Sequence, residues 1–87
     1  MLGGHSQEKS ITEEEIQMCN TMKAKIEGHM NATYTVWEPV SYTSQVVAGT
    51  NFVFKIKVGE NVFISATVFR PLPCNGTELE LTNCICL

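Results

Sequence analysis

The 87-residue sequence has little positive charge and contains no long apolar run. It carries six Lys and Arg residues against nine Asp and Glu residues, a net charge of -3. A nucleic-acid binder needs a basic face that displaces counterions, so we expect no nucleic-acid partner. No hydrophobic stretch approaches the ~20 residues of a membrane-spanning helix, so we expect no membrane association.

The N-terminal segment lacks the basic start and the apolar stretch of a secretory signal. We therefore expect a cytoplasmic protein with reduced thiols. The four cysteines form neither a Cys-x-x-Cys motif nor a Cys/His cluster with zinc spacing, so no metal or other cofactor is predicted. Two alternatives stay open for them: a disulfide between Cys74 and Cys84, and a small redox or metal protein built on Cys74, Cys84 and Cys86.

The N-terminal half of the chain predicts an arm followed by a helix. The length predicts one domain over residues 1–87, and the polar, glycine-containing residues 1–9 are typical of a flexible arm. Apolar residues at helical spacing then predict an amphipathic helix over roughly residues 11–28, ending at Gly28. Its start is marked by two capping-box patterns, Ser10 with Glu13 and Thr12 with Glu15. Its apolar face holds Ile11, Met18, Cys19, Met22 and Ile26.

After the helix the hydrophobic period changes to two, which predicts four antiparallel strands. The first is an extended segment from Tyr34 to Tyr42 with an edge or bulge at Pro39, and the last contains Leu79, Leu81 and Cys84. A turn at 59–61 joins the middle two strands, whose inner face is predicted to hold Phe52, Phe54, Ile56, Val58, Val62, Ile64, Ala66 and Val68. Since helix and sheet each have one apolar face, we expect an α+β fold, with one N-terminal helix packed on a four- to five-stranded antiparallel sheet.

Two turns of this sheet are chemically unusual. In an up-and-down meander, the turns at 44–49 and 71–76 lie at the same end of the sheet. Val46 and Val47 are β-branched residues where hairpins usually carry Asn, Asp or Gly, which predicts backbone strain at the first turn. The second turn, 71–73, is apolar and stiffened by its prolines. Together the two turns predict an exposed hydrophobic edge of the kind used to bind another protein.

The residues of these turns resemble a known family. Gln45-Val46-Val47-Ala48-Gly49 is similar to the Gln-x-Val-x-Gly signature of the cystatins, and its flanks resemble those of the type 1 branch, the stefins. Gly3-Gly4 lies where stefins keep an N-terminal glycine. The segment 68–73, with Leu72-Pro73, resembles their second loop. The resemblance covers about residues 3–83.

This resemblance implies a function as a reversible, tight-binding competitive inhibitor of papain-like cysteine proteases such as cathepsins, and not as an enzyme. The family places an N-terminal arm and two hairpin loops in the active-site cleft of the protease. The glycine at position 49 is expected to let the backbone approach the enzyme closely. The protease-binding residues implied are Gly3, Gly4, Gln45, Val46, Val47, Ala48, Gly49, Leu72 and Pro73.

One departure from the family keeps an alternative function open. Stefins continue beyond the position of Leu87 with a polar, charged tail, so we expect either a frayed final strand or a variant with an altered end. A cystatin-fold interaction module that does not inhibit proteases is therefore the alternative function. In addition, strain at Val46 and Val47 predicts that segment 45–49 can straighten. The monomer could then form a domain-swapped dimer, which would lose inhibition.

Overall fold

The computed structural model describes residues 7–72, 76 and 78–87. One helix packs on a five-stranded antiparallel sheet with the strand order β1-β2-β3-β4-β5, which confirms the predicted α+β architecture. Among the described residues, no helix is both long and apolar enough to cross a membrane. The elements are β1 (Lys9–Ser10), α1 (Glu13–Met30), β2 (Glu38–Val47), β3 (Gly49–Gly59), β4 (Val62–Pro71) and β5 (Glu80–Cys86).

The second of the two predicted capping boxes starts helix α1. Thr12 is the N-cap, and its backbone N–H donates to Oε1 of Glu15 at 3.1 Å. The Thr12 hydroxyl donates to the same carboxylate oxygen. Glu15 interrupts the apolar face of the helix and is only 6% exposed, because its carboxylate satisfies the backbone at the helix start.

The predicted helix end at Gly28 is wrong, because α1 continues to Met30. Asn31 ends it in the left-handed conformation, with a φ of 54°, and its N–H donates to the Gly28 carbonyl oxygen at 3.3 Å. Asn tolerates this conformation, whereas a glycine inside a helix costs only about 1 kcal/mol. The capping residue therefore lies three positions beyond the expected one.

The core forms between the predicted faces of the helix and the sheet. The prediction that Val62 lies on the buried inner face is wrong. Its side chain is 47% exposed, because Val62 pairs with Gly59 beside the turn where the sheet ends. The buried hydrophobic residues are Met18, Cys19, Met22, Ile26, Phe52, Phe54, Ile56, Val58, Ile64, Ala66, Val68 and Cys84.

The edge of the sheet at β2 differs from the sequence prediction. Tyr34 and Val36 lie in the connection before β2, although the register shift after Pro39 confirms the predicted bulge. Lys9, predicted as part of the flexible arm, pairs with Tyr42 as part of β1. The Glu8 carboxylate also accepts a hydrogen bond from the Ser41 hydroxyl. These contacts hold the chain against β2 from residue 8 onward.

The final strand is paired with β4 at both ends and has a bulge at Thr82. Its register with β4 extends to Cys86 opposite Ile64, and the Leu87 N–H donates to the Phe63 carbonyl oxygen at 3.0 Å. The expectation of a frayed strand is therefore wrong for these residues. Cys84 is a free, buried thiol. Cys74, its partner in the alternative disulfide, lies outside the described residues.

Candidate functional site

The two unusual turns lie side by side at one end of the sheet. The β2–β3 hairpin turns at Ala48, and Gly49 then pairs with Pro71 at the end of β4. The β3–β4 turn, around Glu60 and Asn61, lies at the opposite end. The antiparallel order of the strands thus places the first loop and the start of the second, Pro71 and Leu72, at one end of the sheet.

Apolar side chains point into solvent at this end. Val46 is 83% exposed, Val47 45% and Leu72 44%. We call Val46, Val47, Ala48 and Leu72 the tip surface. Apolar groups gathered this way are typical of a surface that another protein covers, because solvent exposure of such groups is unfavourable.

The first turn is shorter than predicted, and its valines are not strained. Val46 pairs with Thr50 and Val47 with Gly49, so β2 continues almost to the tip and only Ala48 lies between the strands. β-branched residues suit extended strands. The only non-glycine residues with positive φ in the described part of the chain are Asn31 and Asn61. The predicted strain at Val46 and Val47 is therefore wrong.

Gly49 is the residue that the turn constrains. It is buried, and its φ of 129° lies in a region that favours glycine. A methyl group on its Cα would lie 2.6 Å from the Arg70 carbonyl oxygen, and 2.7 Å and 2.9 Å from two ring atoms of Phe69. The absence of a side chain at Gly49 thus has a cause within this chain, besides the predicted close approach of a protease.

Arg70 joins the end of β4 to the start of the helix. Its Nη1 donates to Oε1 of Glu14 at 3.0 Å, and its guanidinium carbon lies 5.0 Å from the centre of the Phe52 ring. Both charged side chains are well exposed, so the ion pair contributes only about 0–1 kcal/mol. The ion pair instead links the end of β4, which leads into the second loop, to the first turn of α1.

The structure describes only some of the remaining predicted site residues. Gln45 is half-buried and pairs with Asn51 beside the tip surface. The predicted residues Gly3, Gly4 and Pro73 lie outside the described residues. The role of Phe69 beside Gly49 was missed, and its only sequence signal is an aromatic residue that alternates with the buried Val68 close to the second loop.

The thiols of the described residues show no sign of a metal or reactive centre. Within residues 7–72, 76 and 78–87, no three His, Cys, Asp or Glu side chains form a group that could hold a metal ion. Burial, and to a lesser degree the carboxylate of Glu15, raises the pKa of Cys19 to about 12. Burial also raises the pKa of Cys84. Both thiols are therefore neutral near pH 7 and poorly nucleophilic.

The chain resembles known proteins along nearly its whole length. Residues 5–85 match the cystatin domain family. Cystatin-A1 of Sus scrofa is 39% identical over 83 residues, which cover 95% of this chain and 81% of that protein. Cystatin-B of Paralichthys olivaceus is 36% identical over 83 residues, covering 95% and 85%. Leukocyte cysteine proteinase inhibitor 1 of Sus scrofa is 37% identical over 81 residues, covering 93% and 79%. The chain belongs to the cystatin family, in its type 1 or stefin branch.

Proposed function

We propose that this chain is a reversible, tight-binding competitive inhibitor of papain-like cysteine proteases of the cathepsin type. Cystatins are protease inhibitors and not enzymes, and one relative is named as a cysteine proteinase inhibitor. The observation that carries the proposal is the tip surface, where Val46, Val47 and Leu72 are exposed at one end of the sheet. No catalytic residue is assigned.

The proposed mechanism is the insertion of a preformed surface into the protease cleft. Val46 and Val47 are held by pairing within the β2–β3 hairpin, so little chain entropy is lost when they bind. Their burial against the enzyme removes exposed apolar area from water, which favours binding. The tip surface fills the cleft without presenting a scissile bond to the catalytic thiol. Inhibition is therefore non-covalent and competes with substrate.

The proposed contact surface has three parts. The first loop contributes Gln45–Gly49, and the second contributes Leu72 and Pro73. The arm contributes Gly3 and Gly4. The assignments of Gly3, Gly4 and Pro73 rest on the family resemblance alone. The arm would act as part of one cystatin-like domain over residues 1–87.

A titration of papain with the reduced, monomeric protein tests the proposed function. The expected result is stoichiometric inhibition, an apparent Ki that rises with substrate concentration, and recovery of activity on dilution. The mass of the enzyme should be unchanged after recovery, because no covalent bond forms. A folded monomer that leaves papain and cathepsins active would contradict the proposal and favour the non-inhibitory interaction module.

The oligomeric state and the location in the cell form a second part of the proposal. We place the inhibitor in the cytoplasm as a monomer. Straightening of segment 45–49 would convert it into a domain-swapped dimer whose tip surface is lost. Within this segment only Gly49 has a positive φ, because the valines are extended. Monomer and dimer separated by size-exclusion chromatography can be assayed against papain, and a dimer with full activity would contradict this part. Cell fractionation tests the location.

A further inference from the structure

The ring of Phe69 lies against the backbone of Gly49, at the turn that carries the exposed valines. Two ring atoms of Phe69 would come within 2.7 Å and 2.9 Å of a methyl group on the Gly49 Cα. We infer that Phe69 is a positioning residue that holds the first turn in its binding conformation. This inference rests on the proposed function and names a residue of the β4 strand outside the implied contact surface.

The position of Phe69 in the sheet explains this contact. Phe69 pairs with Asn51, two residues along β3 from Gly49. Side chains alternate along a strand, so Phe69 lies on the opposite face from the buried Val68 and diagonally across from Gly49. Because Gly49 has no side chain, the ring covers the backbone itself.

The contact fixes the residue with the greatest conformational freedom at this end of the molecule. Gly49 has a φ of 129° and follows Ala48, the single residue between β2 and β3. The direction in which Val46 and Val47 project therefore depends on the conformation of Gly49. A glycine without a covering group samples a wide range of φ and ψ angles. Without the ring, only a fraction of molecules would present the tip surface in its binding conformation.

Phe69 is separate from the main core. It is half-buried and does not belong to the cluster of residues between the helix and the sheet. Phe63 offers a matched comparison, because it lies on the same face of β4, is also half-buried and stands outside that cluster. It pairs with Lys57 near the opposite end of the sheet, and its ring lies 4.9 Å from the Lys55 ammonium nitrogen.

The experiment compares Phe69→Leu with Phe63→Leu. Leucine keeps an apolar side chain on the strand but removes the distal ring atoms, which at Phe69 touch Gly49. The apparent affinity falls with the fraction of binding-competent molecules, so Phe69→Leu should slow association with papain about 5–20-fold. Dissociation should be nearly unchanged, because the contact surface of the bound state is intact. Phe63→Leu should change neither rate by more than about 2-fold.

Amide hydrogen exchange supplies a readout that does not depend on inhibition. Amide exchange at Ala48, Gly49 and Thr50 should become faster in Phe69→Leu and stay at the wild-type rate in Phe63→Leu. The urea midpoint of each variant reports its global stability separately. Equal exchange at the turn in both variants would overturn the inference. Faster dissociation with unchanged association would also overturn it, because Phe69 would then contact the protease directly. If the wild-type chain does not inhibit papain, the proposed function fails, and the exchange data still decide the role of Phe69.

Discussion

Gly49 and Pro71 are register partners in the β3–β4 ladder. This pair places the end of the first hairpin turn directly beside the start of the second loop. The Arg70 carbonyl oxygen lies close enough to Gly49 to exclude any side chain there. Val46, Val47 and Leu72 therefore lie at one end of the sheet.

Substitution of Gly49 should destabilise the fold itself. Gly49→Ala places a methyl group 2.6 Å from the Arg70 carbonyl oxygen and forces a side chain into a φ of 129°. We expect the free energy of unfolding to fall by about 2–4 kcal/mol, measured by urea denaturation. Loss of inhibition in any Gly49 variant consequently does not identify a protease contact.

Gly28→Ala is the matched control for that substitution. Gly28 lies in α1, and a methyl group on it would meet no atom within 4 Å. Alanine favours the helix over glycine, so unfolding should cost about 0.5–1 kcal/mol more in this variant. If Gly49→Ala and Gly28→Ala changed the free energy of unfolding to a similar extent, contacts within the chain would not be the reason for a glycine at position 49.

The Cys19 thiol should make the fold sensitive to alkaline pH. Its pKa is raised from 9.0 to about 12, so folding favours the neutral thiol. The resulting stability is present in full below pH 9.0 and is lost as the pH rises towards 12. Cys19→Ala lowers stability by leaving a small cavity but removes this titration.

Urea midpoints of the wild type and Cys19→Ala, measured from pH 8 to pH 11, check the prediction. The gap in stability between the two proteins should narrow as the pH rises. Cys84 and Tyr34, whose pKa values are also raised, are present in both proteins, so their contributions cancel. A constant gap would show that Cys19 does not titrate differently in the folded and unfolded states.

Alkylation of Cys86 should leave inhibition intact. Cys86 is exposed and pairs with Ile64, near the end of the sheet opposite the tip surface. Cys19 is buried and should remain unmodified in the native protein. Peptide mass mapping after iodoacetamide treatment identifies the modified thiols, and papain titration then measures Ki. A large rise in Ki for a protein modified only at Cys86 would reopen a functional role for that cysteine.

Removal of residues 1–4 should speed dissociation from the protease. The chain is held to β2 from Glu8 onward, through Ser41 and the β1 pairing, so this deletion spares the described contacts of the sheet. Loss of contacts made only in the complex acts chiefly on the dissociation rate. Stopped-flow and displacement kinetics with papain measure the two rates. An unchanged dissociation rate would exclude a role of the arm in binding.

Most of the architecture could be predicted from hydrophobic periodicity. The alternation of Phe52, Phe54 and Ile56 identified β3, and the period of Met18, Met22 and Ile26 identified the helix. The predicted end of the helix was wrong because asparagine, like glycine, can adopt the left-handed conformation that ends a helix. Lys9–Ser10 was missed because a two-residue strand has no readable period and forms only through pairing with β2.

The position of the site could be predicted, but the contacts within the chain that shape the first turn could not. The shared end of the two loops follows from the meander, and the apolar character of Val46, Val47 and Leu72 is visible in the sequence. The predicted strain at the valines is wrong, because they complete the ladder opposite Gly49 and Thr50. The contact between Phe69 and Gly49 depends on the register of β3 against β4, and hydrophobic periodicity does not give that register to the single residue.

The most direct test compares Val46→Glu with Val62→Glu in a papain titration. Both valines are exposed, but Val46 lies in the tip surface and Val62 at the opposite end of the sheet. A buried, unpaired carboxylate at the interface should raise Ki at least ~100-fold in Val46→Glu, with the urea midpoint nearly unchanged. Val62→Glu should inhibit like the wild type. Equal inhibition by Val46→Glu and Val62→Glu would contradict the assignment of the tip surface as the protease-binding site.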